Sequence, residues 1–291
     1  MFQTTRDLLR YAVTRFNKVG LTFGHGNAYA YDEAAYLILH TLSLPLDLLE
    51  PFLDARLLDD EIEAVMQVIE RRAEKRIPAA YITREAWMHG LKFYVDERVI
   101  VPRSLIGELL QEGLAPWVSS PDEVGSVLDL CTGSGCLSIM GALAFPQAEV
   151  DAVDLSADAL EVAKRNRADF GLAGRLSLHR GDLYAALPAG KRYDLIISNP
   201  PYVNQASMDA LPAEYRAEPD MALVGGEDGM DLVRDILAGA RERLTPDGLL
   251  VVEIGNEFAN FNAAFPGLNV TWLDTSAGDE QVFLVYAADL P

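Results

Sequence analysis

The sequence predicts an α/β protein: a mostly parallel, doubly wound sheet of seven strands closed by an antiparallel hairpin, with a small helical domain in front of it. Three observations carry this. From about residue 102, short β-branched and apolar runs alternate with helical stretches. The last stretch, VTWLDTSAGDEQVFLVYA, reads as two strands joined by a polar, Gly-containing turn. Residues 1 to about 85 read as helices.

Bulk properties narrow the function. With 291 residues the chain is long enough for two domains, and with 50% hydrophobic residues it is globular rather than disordered. No apolar run approaches the roughly 20 residues that span a bilayer. The opening MFQTTRDLLRYAVTRF is amphipathic and contains Asp7. It lacks the apolar core and cleavage site of a secretory signal, so it is read as the first helix of the mature protein. The two cysteines, Cys131 and Cys136, flank a Gly-rich loop and form neither a disulfide framework nor a zinc site. A reducing cytoplasm is therefore expected. His25, His40, His89 and His179 show no ligand spacing, and no metal is expected. The formal charge of -20 repels a phosphate backbone and argues against nucleic acid as substrate. It attracts basic partners, although solubility alone also explains an acidic balance.

In chain order, Leu8, Leu9, Ala12, Val13 and Phe16 mark the apolar face of a first helix. Asp32 is expected to cap a second, and Asp59 or Asp60 a third in which Ile62, Val65, Met66 and Ile69 recur. The segment RRAEKR closes that third helix with favourable cations. TFGHGNAYAYD between the first two reads as a loop. Residues 86–101, AWMHGLKFYVDERVIV, read as a hairpin linker turning at Gly90. A second domain is expected to start near 102, opening with a helix that carries Ile106, Leu109 and Leu110.

Within that domain, Val127 to Leu130 is a buried strand that runs into Cys131-Thr132-Gly133-Ser134-Gly135-Cys136 and a helix, Leu137 to Ala144. Glu149 to Asp154 is a second strand, and Ser156 caps the helix 157–166. Leu176-Ser177-Leu178 leads to Gly181-Asp182-Leu183. Tyr193 to Ile197 is a strand, followed by a helix around 229–243 and the strand Leu249 to Ile254.

In such a sheet, ligands bind at the C-terminal ends of the strands where strand order reverses. Gly133 and Gly135 allow a ligand close to the backbone. Asp154 is placed to accept from both hydroxyls of a ribose, Asp182 from an adenine amino group, and Leu183 supplies an apolar wall. A dinucleotide fingerprint would need a third glycine where Ser138 stands, and a triphosphate loop would need G-K-[ST]. Asp129, in the strand itself just before the loop, would repel a pyrophosphate and would tolerate, or attract, a ligand carrying an ammonium and a sulfonium. These points favour S-adenosyl-L-methionine, with S-adenosyl-L-homocysteine as product, over NAD.

The strand Tyr193 to Ile197 ends in Ser198-Asn199-Pro200-Pro201-Tyr202-Val203. Two prolines cannot continue a strand, so the chain leaves the sheet in a stiff, extended turn. A planar NH2 group needs two acceptors in its own plane. The Asn199 side-chain oxygen and the Pro200 carbonyl can supply them, and Tyr202 can cover the flat face.

Together the acids, the Gly loop and Asn199-Pro200-Pro201-Tyr202 resemble a class I S-adenosylmethionine-dependent methyltransferase, Rossmann-like and of the amino-methylating type. Over essentially its whole length the chain resembles the HemK family of protein-(glutamine-N5) methyltransferases. Phe93 to Ser104 and Pro212 to Pro219 resemble the branch acting on large-subunit ribosomal protein three; Leu105 and Ala217 depart from the Pro and His expected there. The resemblance implies a helical domain at 1–85, a hairpin linker and a catalytic domain. It implies that Asp129, Cys131, Thr132, Gly133, Ser134, Gly135, Asp154, Asp182, Leu183 and Asn199 hold the cofactor. Asn199, Pro200, Pro201 and Tyr202 would hold the glutamine amide. Arg103 and Glu108 would shape that pocket or form an interdomain salt bridge.

The chemistry then expected is positioning without a general base, because an amide nitrogen is a poor nucleophile that two acceptors can aim and stabilise. The expected partner is a basic protein, large-subunit ribosomal protein three, with no direct nucleic-acid or membrane binding. The alternatives are the same chemistry on a release factor, methylation of a nucleic-acid amino group, a non-catalytic ribosome-assembly factor, and, more distantly, a dehydrogenase.

Overall fold

The computed structural model describes residues 2–24 and 28–290. Thr4 opens helix α1 (Thr5–Val19): its Oγ1 accepts from the Asp7 amide while Asp7 accepts from the Thr4 amide, satisfying two donors that a helix start leaves unpaired. Helices α2 (Ala30–Thr41), α3 (Asp59–Lys75) and the short α4 (Ala79–Thr83) follow. They bury a cluster of their own around Phe16, Leu37, Ile38, Val65 and Ile69. Two expected caps lie elsewhere. Tyr29 precedes α2, and Asp32 sits in its first turn. Leu58 precedes α3, its amide donating to Glu61, and Asp59 and Asp60 lie inside the first turn. Acids there still favour the positive helix end. His25, Gly26 and Asn27 of the expected loop lie outside the described residues.

A hairpin links the two parts. Strands β1 (Glu85–Met88) and β2 (Leu91–Tyr94) pair antiparallel about His89-Gly90, both at positive φ, which suits a two-residue turn. Pairing ends at Tyr94, earlier than the linker boundary at 101, and the chain runs on to helix α5 (Ile106–Gln111).

The rest alternates. In order come β3 (Ser126–Leu130), α6 (Cys136–Ala144), β4 (Glu149–Asp154), α7 (Ala157–Asp169), β5 (Leu176–Arg180), β6 (Tyr193–Ser198), α8 (Gln205–Ala210), α9 (Asp231–Arg243), β7 (Leu244–Glu253), α10 (Phe258–Ala264), β8 (Thr271–Trp272) and β9 (Val282–Tyr286). The sheet has seven strands in the order β5-β4-β3-β6-β7-β9-β8. β9 runs antiparallel to β7 and β8, and the other pairs are parallel. Successive residues point to opposite faces, so Val127, Leu195 and Val251 pack with α5 and α6, and Leu128, Ile196 and Leu250 pack with α9. Both faces are covered, as a parallel sheet requires. From β3 the chain steps outward through β4 and β5, then returns to β6 on the other side. The order reverses between β3 and β6, which opens a crevice at their C-terminal ends. Among the described residues no helix is long and apolar enough to cross a membrane.

Candidate active site

The loop after β3 is bent into place by backbone that most residues avoid: Cys131, Gly133 and Gly135 all have positive φ. Beneath it lies a buried polar knot. Thr132 Oγ1 donates to Asp129 at 2.5 Å and lies 3.2 Å from Ser138 Oγ, which donates to the Gly135 carbonyl. Asn166, fully buried on α7, donates to the Ser134 carbonyl and exchanges two hydrogen bonds with the Tyr94 backbone. The loop is thereby fixed to the hairpin. No local pattern singled out Asn166; its spacing fits any helix.

Asp154, at the end of β4, accepts from Gly133 N and Ser156 N, each at 2.8 Å. Burial raises its pKa against these hydrogen bonds. Cys131, Gly133, Asp154, Asp182, Leu183, Asn199 and Pro201 line one cavity at the strand ends. Leu183 is buried and Asp182 exposed. Asp129 and the loop residues Thr132, Ser134 and Gly135 are buried. Asp129 has no exposed surface, and burial pushes its carboxyl up to about 7. Burial likewise raises the Cys131 thiol, so it stays protonated at neutral pH.

A second cavity adjoins the first, lined by Asn199, Pro200, Tyr202, Arg103, Tyr215 and Glu257 among others. Asn199 lines both cavities and is half-buried, and its side chain has no hydrogen-bond partner among the described residues. Tyr202 OH donates to Glu253 at 3.3 Å. Buried at the end of β7, Glu253 also accepts from Ser104 Oγ at 2.5 Å and from Leu105 N at 2.9 Å. Burial raises its pKa. Glu257 accepts from the side chains of Asn204 and Asn260.

Arg103 reaches Glu218 through two hydrogen bonds of 2.5 and 2.7 Å, and its guanidinium lies 5.3 Å from the centre of the Tyr215 ring. Burial would lower its pKa, but the Glu218 carboxylate outweighs this and raises it. Glu108 lies apart. It accepts from Ser276 N at 2.7 Å and lines a separate depression with Trp87 and His89, on whose rim Arg103 also sits. Nothing in their own stretches marks Glu253 and Glu257 as site residues, and the Pro212 to Pro219 stretch does not by itself distinguish Glu218 from its neighbours.

The first cavity suits S-adenosylmethionine. At Gly133 a Cβ would meet nothing within 4 Å, so the backbone faces open room there. The two acids at the cavity match hydroxyl and amino donors, and Leu183 offers an apolar surface.

Residues 109–214 match the family described as the Methyltransferase small domain. Over the whole chain, the sequence is 67% identical to the ribosomal protein uL3 glutamine methyltransferase of Burkholderia pseudomallei and covers 96% of it. It is 60% identical to the protein of the same name from Bordetella pertussis, across 97% of this chain and 95% of that one. Among solved structures, the hMettl16 catalytic domain in complex with a 3′UTR hairpin aligns with a TM-score of 0.50 at 17% identity, covering 87% of this chain and 89% of that one. That likeness speaks for the fold alone. Identity of this level over the full length settles kinship, and the chain belongs to the family of ribosomal protein uL3 glutamine methyltransferases.

Proposed function

We propose that the protein transfers a methyl group from S-adenosylmethionine to the side-chain amide nitrogen of a glutamine in ribosomal protein uL3. The observation that carries this reading is the position of Asn199: an unpartnered side-chain amide at the junction of two cavities, beside a proline that has no N–H. In this reading residues 1–85 form a helical domain, 86–101 a hairpin linker and 102–291 the catalytic domain. We assign the reaction to the cytoplasm, where thiols such as the free Cys131 and Cys136 stay reduced.

S-adenosylmethionine supplies an electrophilic methyl on a sulfonium. Asp154 would accept from its ribose hydroxyls, Asp182 from the adenine amino group, and the Cys131–Gly135 loop would pass close to the rest. On the acceptor side, Asn199 Oδ1 and the Pro200 carbonyl would each hold one amide hydrogen, and the Tyr202 ring would cover the amide plane. Holding both hydrogens turns the nitrogen toward the cofactor cavity and favours the form in which positive charge develops on it. Two carboxylates beside the acceptor cavity are engaged: Glu253 with Ser104, Leu105 and Tyr202, and Glu257 with two asparagines. This supports positioning over base catalysis.

Purified protein, S-adenosylmethionine and unmodified uL3 would be incubated and read by intact-mass and peptide mass spectrometry. A class I release factor and an RNA fragment would run beside them. One methyl on a glutamine of uL3 alone is the expected result. Methylation of the release factor instead moves the substrate, and methylation of RNA overturns the amide chemistry. Asn199→Ala should lower turnover roughly 100-fold or more, as loss of a transition-state partner does, while S-adenosylhomocysteine still binds. Equal loss of both would sink the assignment.

A further inference from the structure

Residues 212–224, between α8 and α9, wall both cavities: Pro219, Met221 and Ala222 face the first, and Tyr215, Ala222 and Leu223 face the second. The segment holds little regular structure, only short turns at Ala213–Ala217 and Asp220–Ala222. Its shape is therefore set by tethers. One is Glu218, which accepts from Arg103 and from Val101 N at 3.0 Å. Another is the pairing of Val224 with Val203, where Val203 N donates to the Leu223 carbonyl and Gly225 N to the Val203 carbonyl, both at 2.9 Å. These two lie inside the site.

The third tether leaves it. Glu214 is fully buried and accepts from Arg76 Nη1 at 2.7 Å and from Thr22 N at 3.1 Å, with Arg72 Nη1 at 3.8 Å. Arg76 ends α3 and also donates to the carbonyls of Val19 and Gly20 at the end of α1. Arg72, itself buried, pairs with Glu33 of α2 at 2.6 Å and donates to the Thr22 carbonyl. The end of α3 and the segment just after α1 thus meet on one carboxylate, and α2 stands behind them through the Arg72–Glu33 pair. A buried carboxylate that slips from its partners is left unpaired away from water, which is strongly unfavourable. The contact therefore sets one position rather than a range.

We infer that Glu214 is a positioning residue through which the N-terminal helices hold the wall of the acceptor cavity. Glu214 and Glu218 lie one turn apart with Tyr215 between them, so a shift at Glu214 moves the Tyr215 ring and the partner of Arg103 together. A reaction run by positioning responds to such shifts, since a displacement of about 1 Å can cost about 100-fold in rate. The helices then act on turnover, beyond any grip on the protein substrate. This rests on the methyl-transfer reading above.

The test uses the full-length protein with Glu214→Gln and, from the other side of the contact, Arg76→Met, whose side chain is partly exposed and whose loss is easier to fold around. Steady-state kinetics on uL3 and hydrogen–deuterium exchange of the ligand-free protein are read together. We expect kcat to fall about tenfold or more with KM for uL3 within about twofold. Amides of 213–224 should exchange faster, and those of β3, β4, β6 and β7 as in the unaltered protein. A raised KM with unchanged kcat would mean that the helices only dock substrate, and would overturn the proposal. Unchanged exchange in 213–224 would overturn it as well. If the unaltered protein methylates no uL3, the functional reading fails, and the exchange result decides this proposal by itself.

Discussion

Asp129 has no exposed surface and receives a hydrogen bond from Thr132. Its pKa, pushed up to about 7 by burial, lies far above that of the same residue in an unfolded chain. Such a group binds its proton more tightly when folded. Its contribution is full below about pH 4 and is lost as pH rises toward 7, where ionisation leaves a buried charge. In ligand-free protein, thermal melts of Asp129→Asn and the unaltered chain should therefore diverge between about pH 4 and 7, the variant gaining as pH rises, and then run parallel. A constant difference across that range would refute the assignment. The sequence placed Asp129 as a group facing the ligand. A strand-end acid and a strand-interior acid look alike in sequence, and the structure sets this one behind the loop, where it organises Thr132.

The decisive element is the edge after β6, and it is enclosed more tightly than its own residues suggest. A Cβ on Gly255 would meet the Tyr202 ring at 2.5 Å, and one on Gly225 would meet the Tyr202 backbone at 2.6 Å. Gly255 also has φ +51, a conformation that costs an L-residue energy. Gly255→Ala should therefore displace Tyr202, weaken its bond to Glu253 and lower kcat about tenfold or more, while the fold persists at a stability cost of about 1–3 kcal/mol. Full activity would show that Tyr202 need not stay where it is. The double proline made this edge readable, because its stiffness is local. Helix α8 and the turns of 212–224 are too short to show a period, and the turns owe their shape to Arg103, Arg76 and Val203.

Taken as a whole, the molecule carries a strong negative charge and sets both cavities in its sheet part, whose wall the helical part reaches through Glu214. The formal charge of -20 should draw in a basic protein substrate. KM for uL3 should then rise steeply as salt is raised from about 50 to 300 mM, while kcat stays nearly level, because screening acts on encounter and not on the buried site. A KM indifferent to salt would remove charge from the account of substrate recognition. By itself the sequence determined the alternation of strands and helices, the hairpin, the Gly loop, the strand-end acids and the Asn199-Pro200-Pro201-Tyr202 edge. Each of these is written in neighbouring residues through period, turn chemistry or backbone freedom. Only the tertiary structure decided which acids face the cavity, and which carboxylates hold its walls. Glu253 meets Ser104 across 149 residues and Glu214 meets Arg76 across 138. No local pattern encodes such a pairing, because the burial that makes it strong exists only once the chain has folded.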